Sequence, residues 1–394
     1  MATKNWSFKI TPVRMMLLAL VVFSGLLAVY RLFTGLGAAT NLNDQWPWGL
    51  WIIVDLTAVA LAGAGYSIAV LTHILHIKRF NSVARRALLI SFMGYIFVLL
   101  TLILEIGRWD NFWRPFVSWG YHSPMFEVFM CISAYFLMQA IEFGEIVTEK
   151  IGKPAYKWIR KILPVVVIIA ALLPFGHQAS LGALYLAFPD KLHPLWYSPM
   201  LPWFFLISSF FVGPAVVALE TILSSRLRKE KVDMGVLKGL AKISGAIMIG
   251  YLALKIGDLS VRGVLPAVLA GNLEGNMFLL EMVVGVIIPI LICFSPWIAK
   301  KSGMVAFTGC AIFGIVLSRV NVVFVGMYNT LGPGYVPSWI EWGITIGLLS
   351  AVILAYTFIV ENFAVFSPAK KPTSKEEGYT VSLRKQEVSW QTSK

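Results

Sequence analysis

Asp55, Glu105, Arg108 and Glu127 are charged residues at the borders of long apolar runs, with Trp51, His122, His177 and Gln178 in the neighbouring segments. An unpaired charge inside a bilayer costs several kcal/mol, so charges held there are paired or put to use. Glu105 and Arg108 lie three residues apart in Leu104-Glu-Ile-Gly-Arg-Trp109, a spacing that puts both on one helix face, close enough to pair. Acceptors, donors and aromatic rings of this kind, set at one depth, suit a carbonyl-bearing aromatic ring with a hydrophobic tail, which is a quinone. Such a ligand needs hydrogen bonds to two oxygens, apolar walls and lateral access from lipid. The competing reading is that these charges simply pin helices together.

A second chemistry is written on the segment that begins near Glu127. Glu127 and Glu145 are eighteen residues apart, five full turns or about 27 Å, and so share a face, with Glu142 about 60° away on the same side. Carboxylates at both ends of one stripe could guide protons across a membrane if water fills the middle. Alternatively, Glu142 and Glu145 reach the interface and are solvated there. About 150 residues after Glu105, Leu254-Lys-Ile-Gly-Asp-Leu259 repeats the charge pattern with the signs exchanged, as Lys255 and Asp258. Each copy is followed by a proline (Pro115, Pro266) and then by a helix with a glutamate, Glu127 or Glu281. The expectation is a duplicated bundle in which Lys255, Asp258, Glu281 and Arg319 form structural ion pairs.

The elements that must position these residues follow from composition. Apolar residues make up 58% of the 394 and charged residues 13%, which is the balance of a multi-spanning membrane protein. Ten segments are long enough, or nearly so, to cross a hydrocarbon core of about 30 Å. They lie near 13–33, 51–77, 86–107, 124–148, 159–175, 200–225, 237–261, 276–298, 303–326 and 338–363, the fifth being short and proline-bounded. No early apolar run ends in a small-residue cleavage site, so the first is read as a retained helix.

The formal charge of +13 does not point to nucleic acid, because of where it lies. Lys and Arg cluster at alternate connections (Lys78 to Arg86, Lys150 to Lys161, Arg226 to Lys242, Lys300 and Lys301) and at both termini. Positive residues favour the cytoplasm, which puts both termini inside a cytoplasmic (inner) membrane. The opposite connections are rich in Trp, Tyr, Pro, Gly and His: Asn41 to Trp48, Trp109 to Tyr121, His177 to Tyr197, and Gly332 to Tyr335. Trp and Tyr favour the membrane interface, and four such loops could also form a platform for a peripheral partner.

The fold expected is therefore all-α. Two parallel-related four-helix bundles, 51–175 and 200–326, carry two peripheral helices within a transmembrane domain of 1–366, and a disordered cytoplasmic tail occupies 367–394. Cys131, Cys293 and Cys310 lie in apolar runs with no C-x-x-C spacing, so no disulfide framework, iron–sulfur cluster or other metal site is written here. A bis-histidine haem needs two histidines on facing helices at matched depth. His73 and His76 fall at the inner end of one helix, whereas His122, His177 and His193 fall at the outer boundary. No nucleophile with its base and no phosphate loop is present. A secondary transporter or ion channel remains the alternative, although no pair of Gly/Pro-broken helices at matched midplane positions is found.

Several blocks together resemble the NrfD/PsrC family of quinone-interacting membrane subunits, in its HybB-like ten-helix form, with the DsrP-like form a near relative. They are Trp46-Pro-Trp-Gly-Leu-Trp51 leading to Asp55, Leu104-Glu-Ile-Gly-Arg108, Ser123-Pro-Met-Phe-Glu127, Pro174-Phe-Gly-His-Gln-Ala-Ser-Leu-Gly182 and His193-Pro-Leu-Trp196. The resemblance runs from about Gly35 to Glu361. It implies a subunit of a respiratory oxidoreductase complex with no tightly bound cofactor of its own and menaquinone or ubiquinone as exchangeable substrate. It implies a ferredoxin-like iron–sulfur subunit docked on the outer face, further catalytic subunits beyond it, and in some members proton translocation. The family's quinone site is built from the first bundle, which here means Asp55, Glu105, Arg108, Glu127 and His177. Trp51, His122 and Gln178 join that set by depth. The proton path would run through Glu127, Glu142 and Glu145.

Overall fold

The computed structural model describes residues 6–228, 232–332 and 334–366; the tail expected to be disordered lies outside the described residues. Among them there is no strand, and ten helices are long and apolar enough to span a membrane. They are α1 (Pro12–Thr34), α2 (Leu50–Ile74), α3 (Lys78–Glu105), α4 (Pro124–Ile151) and α5 (Ala155–Ala187), then α6 (Leu201–Arg228), α7 (Met234–Val261), α8 (Leu273–Phe294), α9 (Lys301–Leu331) and α10 (Trp339–Asn362). In hydrocarbon each backbone N–H and C=O must be satisfied within the chain, which is why apolar runs of this length fold as helices. The chain is a multi-pass, all-α membrane protein.

Packing sorts eight of the ten helices into two rings. α2, α3, α4 and α5 contact one another in a ring; α6, α7, α8 and α9 form a second ring; α1 and α10 pair and lie against α3. The rings meet where α2 crosses α6. There a Cβ on Gly213 would come within 2.6 Å of the Gly63 carbonyl oxygen. Only small residues let two helix backbones approach so closely.

Each helix alternates between two faces of the protein. The basic face gathers the Lys- and Arg-rich connections, and the aromatic face gathers the others. On the aromatic face the 41–48 segment is tied to the segment before α10. Gln45 donates to the Leu331 carbonyl at 2.6 Å, Trp46 Nε1 to Gly332 O at 3.1 Å, and Asn41 to Val336 O at 2.8 Å.

α5 differs most from expectation. The segment foreseen over 159–175 runs from Ala155 to Ala187, with Pro164 and Pro174 inside the helix. A proline removes one helical hydrogen bond. In a buried span the rest of the backbone still has to bond internally, so the helix carries on past it. His177 and Gln178, assigned by sequence to an outer loop, therefore lie in the span and are buried.

Candidate functional site

The Glu105–Arg108 pair does not form. α3 ends at Glu105, and Ile106 is extended (φ −66°, ψ 119°), so the two side chains share no helix face. Arg108 points outward and pairs with Asp110 at 3.2 Å, both well exposed. That guanidinium, hydrogen-bonded to Asp110, holds the Asp110 carboxyl below its usual range. The cation in electrostatic range of Glu105 is instead Arg31 of α1, which is fully buried. Arg31 Nη2 donates to the Ile106 carbonyl at 2.7 Å, just past the end of α3. Helix C-termini leave carbonyls unpaired and carry partial negative charge, so a guanidinium there satisfies both needs. The sequence did hold a signal for this residue. Arg31 is a lone cation at the aromatic end of an apolar span, against the usual charge bias.

Around these residues α1, α2, α3 and α10 pack together. Trp51 is buried in a cluster with Leu27, Leu104, Ile340 and Ile344. Asp55 accepts a short hydrogen bond from the Thr101 hydroxyl, one turn below Glu105. Glu341 accepts from the Tyr335 hydroxyl and from the Ser338 N–H at 2.8 Å, and Leu50 N–H donates to Tyr335 at 2.8 Å. Burial, then the bond to Glu341, raises the Tyr335 phenol above its ordinary value. Several buried atoms have no hydrogen-bond partner among the described residues: Arg31 Nε and Nη1, Trp51 Nε1, Asp55 Oδ2 and both Glu105 oxygens. A buried polar group left unbonded costs about 1–3 kcal/mol, so so many together mark a place built to meet something polar.

Deeper in the first ring lies a second group. Counting about 1.5 Å per residue from the aromatic ends, Asp55 is about 8 Å in, His177 and Tyr95 about 15 Å, and Tyr135 about 17 Å. Both ring nitrogens of His177, the Tyr95 hydroxyl and Gln178 Oε1 are buried without partners among the described residues. Gln178 Nε2 donates to Val59 O at 3.1 Å, one turn below Asp55. The Tyr95 ring lies 5.9 Å from His177 and 4.5 Å from Tyr135. From Tyr135 the polar line continues toward the basic face, where Gln139 donates to Tyr135 at 2.9 Å and to Ser91 at 2.5 Å. It opens into a cavity of about 300 Å³ whose lining includes Gln139, Glu142, Glu145, Thr72 and His73. Arg160 approaches Glu145 at 3.9 Å.

The structure thus brings together Trp51, Asp55 and Glu105 in one buried polar group and His177 with Gln178 in a second, deeper one. It leaves Arg108, His122 and Glu127 exposed on the aromatic face. Sequence reasoning missed Arg31, Tyr95, Tyr135, Gln139, Tyr335 and Glu341. Four of these are polar but uncharged, and nothing in their spacing separates them from ordinary apolar-span residues.

The ion pairs expected in the second ring are not the ones formed. Asp258 binds Arg262 at 2.6 Å and the Ser198 hydroxyl at 2.6 Å. Arg262 wins because it is one full turn away at the helix end, where it also reaches the Pro194 and Tyr197 carbonyls. Lys255 lies over the Phe204 ring at 4.4 Å, Glu281 accepts from Trp196 and Asn321, and Arg319 donates to Ser208 at 2.9 Å over the Phe205 ring. The acid in the first turn of α8, where Glu127 stands in α4, is Glu274 and not Glu281.

The sequence matches the family described as Polysulphide reductase, NrfD, over residues 38–332. It is 33% identical over 369 residues to a protein of Nitratidesulfovibrio vulgaris, covering 90% of this chain and 94% of that one. It is 29% identical over 361 residues to the probable Ni/Fe-hydrogenase 2 b-type cytochrome subunit of Escherichia coli (89% and 92% covered). It is also 29% identical over 374 residues to the integral membrane subunit of a menaquinone reductase from N. vulgaris (85% and 86% covered).

Proposed function

Because the chain belongs to the NrfD polysulphide reductase family, we propose that it is the quinone-reactive membrane subunit of a respiratory oxidoreductase complex, exchanging electrons between a membrane quinone pool and an iron–sulfur subunit docked on its aromatic face. Relatives named as hydrogenase and menaquinone reductase membrane subunits, aligned over most of their length, support that class. Menaquinone is the first choice of substrate from the second of those names. The observation that carries the reading is the set of buried, unbonded polar atoms in the aromatic-side half of the first ring: Trp51 Nε1, Asp55 Oδ2, both Glu105 oxygens, Gln178 Oε1 and both His177 nitrogens. They supply donors and acceptors at two depths, walled by Trp and Tyr rings, which is what a ring with two opposed carbonyl oxygens requires.

In this reading His177 and Asp55 hold or release the protons that accompany reduction and oxidation at the quinone oxygens. Gln178, fixed through Val59, orients one of them. Arg31 takes the charge-balancing place that sequence alone had given to Arg108. Arg108, His122 and Glu127, exposed on the same face, belong to the surface that meets the iron–sulfur subunit. The bias of Lys and Arg to the other face supports a topology with both termini in the cytoplasm. The test is reconstitution of the chain with its iron–sulfur partner in proteoliposomes. Oxidation of a menaquinol analogue that needs both proteins supports the function, and solute flux by the chain alone, with no quinol turnover, would replace it with a transporter.

The line His177, Tyr95, Tyr135, Gln139 and the cavity at Glu142 is read as the proton route to the cytoplasmic side. Tyr and Gln groups in hydrogen-bond contact relay protons once water joins them, and Glu142 is the carboxylate nearest their end. Glu142→Gln should slow proton uptake from the cytoplasmic side of sealed vesicles at least several-fold during quinol turnover, because the amide cannot release a proton. Unchanged uptake would remove Glu142 from the route.

A further inference from the structure

An apolar groove of about 590 Å³ runs along α10, between it and α2, α3, α6 and α9. On α10 its lining extends from Trp342, near the aromatic end, to Tyr356, fourteen residues or about 21 Å. None of the described residues that line it is charged. It is open to lipid along α10, where Trp342, Leu349 and Ile353 are exposed. Its two threonines, Thr57 and Thr345, stand about 10 Å from the aromatic end, level with Asp55. The Thr57 hydroxyl is buried with no hydrogen-bond partner among the described residues. This end of the groove is tied to the polar group around Glu105. Leu50, which lines the groove, donates its N–H to Tyr335 at 2.8 Å, and Tyr335 donates to Glu341. Thr345 donates to the Glu341 carbonyl at 2.8 Å. On α3 the wall formed by Met93 and Phe97 is continued one turn toward the aromatic face by Thr101, the donor to Asp55, and a further turn by Glu105.

We propose that this groove holds the prenyl tail of a quinone whose ring sits at the Asp55–Glu105 group, so that the subunit selects a long-tailed substrate. The proposal rests on the quinone reading above and adds the place of the tail to it. Two features choose this occupant over a phospholipid. The groove reaches Tyr356, about 25 Å in, and so crosses the bilayer midplane at about 15 Å; an acyl chain stays in its own leaflet, whereas a polyprenyl tail is long enough to cross. Its polar end also sets the carboxyl groups of Asp55, Glu105 and Glu341 against one buried cation, Arg31, a balance that repels a phosphate and accepts an uncharged ring. Lipid is as apolar as the groove, so the tail gains from close packing and not from leaving water.

The test is tryptophan quenching of the purified full chain by two naphthoquinol analogues, one without a tail and one with a long prenyl tail. Wild type is compared with Leu349→Trp, which narrows the middle of the groove at a half-exposed position and changes no charge. The variant should weaken binding of the tailed analogue about tenfold, the scale of lost packing, and leave the tail-less one as in wild type. A photoreactive diazirine at the tail's end should label α10 between Val352 and Tyr356, a readout that needs no variant. Equal binding of the tailed analogue by wild type and variant, or labelling confined to other helices, would overturn the groove proposal while binding of the tail-less analogue still upholds the quinone reading. Failure of both analogues to bind the folded wild type would overturn both.

Discussion

His177→Phe is expected to lower quinol turnover by about a hundredfold or more while the subunit stays folded and bound to its partner. The magnitude is that of losing a positioned acid–base group. Folding should survive because neither ring nitrogen bonds to the described protein, and the contact the ring does make, 5.9 Å from Tyr95, is kept by phenylalanine. Stopped-flow reduction of the iron–sulfur partner by a quinol analogue reads the effect directly. Near-normal rates would move the chemistry away from the first ring's core. Loss of assembly would make His177 a packing residue.

Arg31→Met should destabilise the protein by about 3–5 kcal/mol, the range for removing one member of a buried charge group. Arg31 holds the Ile106 carbonyl and is the buried cation acting on Glu105, which also interacts with Glu341. Without it two carboxylates face each other. Glu105→Gln added to Arg31→Met should therefore recover part of the loss, giving a coupling of at least about 1 kcal/mol. Additive effects in thermal or denaturant unfolding in detergent would mean that the two side chains do not act as a unit. Arg108→Ala, by contrast, should leave the fold unchanged, since Arg108 is largely exposed and meets only exposed Asp110.

The ten spans and the two faces were legible because hydrophobic run length and Lys/Arg bias act locally along the chain. The duplicated charge patterns prompted the expectation of two bundles, but the pairs behind it were both misassigned. Glu105 with Arg108 failed because a helix ended between them, and Lys255 with Asp258 because Arg262 offered better geometry at a helix end. Such errors concern one turn of backbone, which residue spacing does not specify. His177 was placed at the outer boundary, whereas it lies buried within the span. Pro174 reads as a stop in water, yet a buried span continues through it. Arg31 and Glu341 come from the two ends of the chain, and both act on Glu105 because α1 and α10 pair beside α3, a tertiary arrangement that no local pattern encodes. The tyrosine–glutamine line was invisible for a related cause, since Tyr95 of α3 and the Tyr135–Gln139 turn of α4 gain meaning only when the two helices pack together.

The central claim is that the aromatic-side half of the first ring binds a quinone. Its most direct test is titration of a menaquinol analogue into the purified chain, followed by quenching of its 14 tryptophans, with wild type beside His177→Phe and Asp55→Asn. Saturable quenching in the wild type, weakened in both variants, is the predicted result. Saturable binding that neither variant alters, or none to the folded chain with its iron–sulfur partner present, would contradict it.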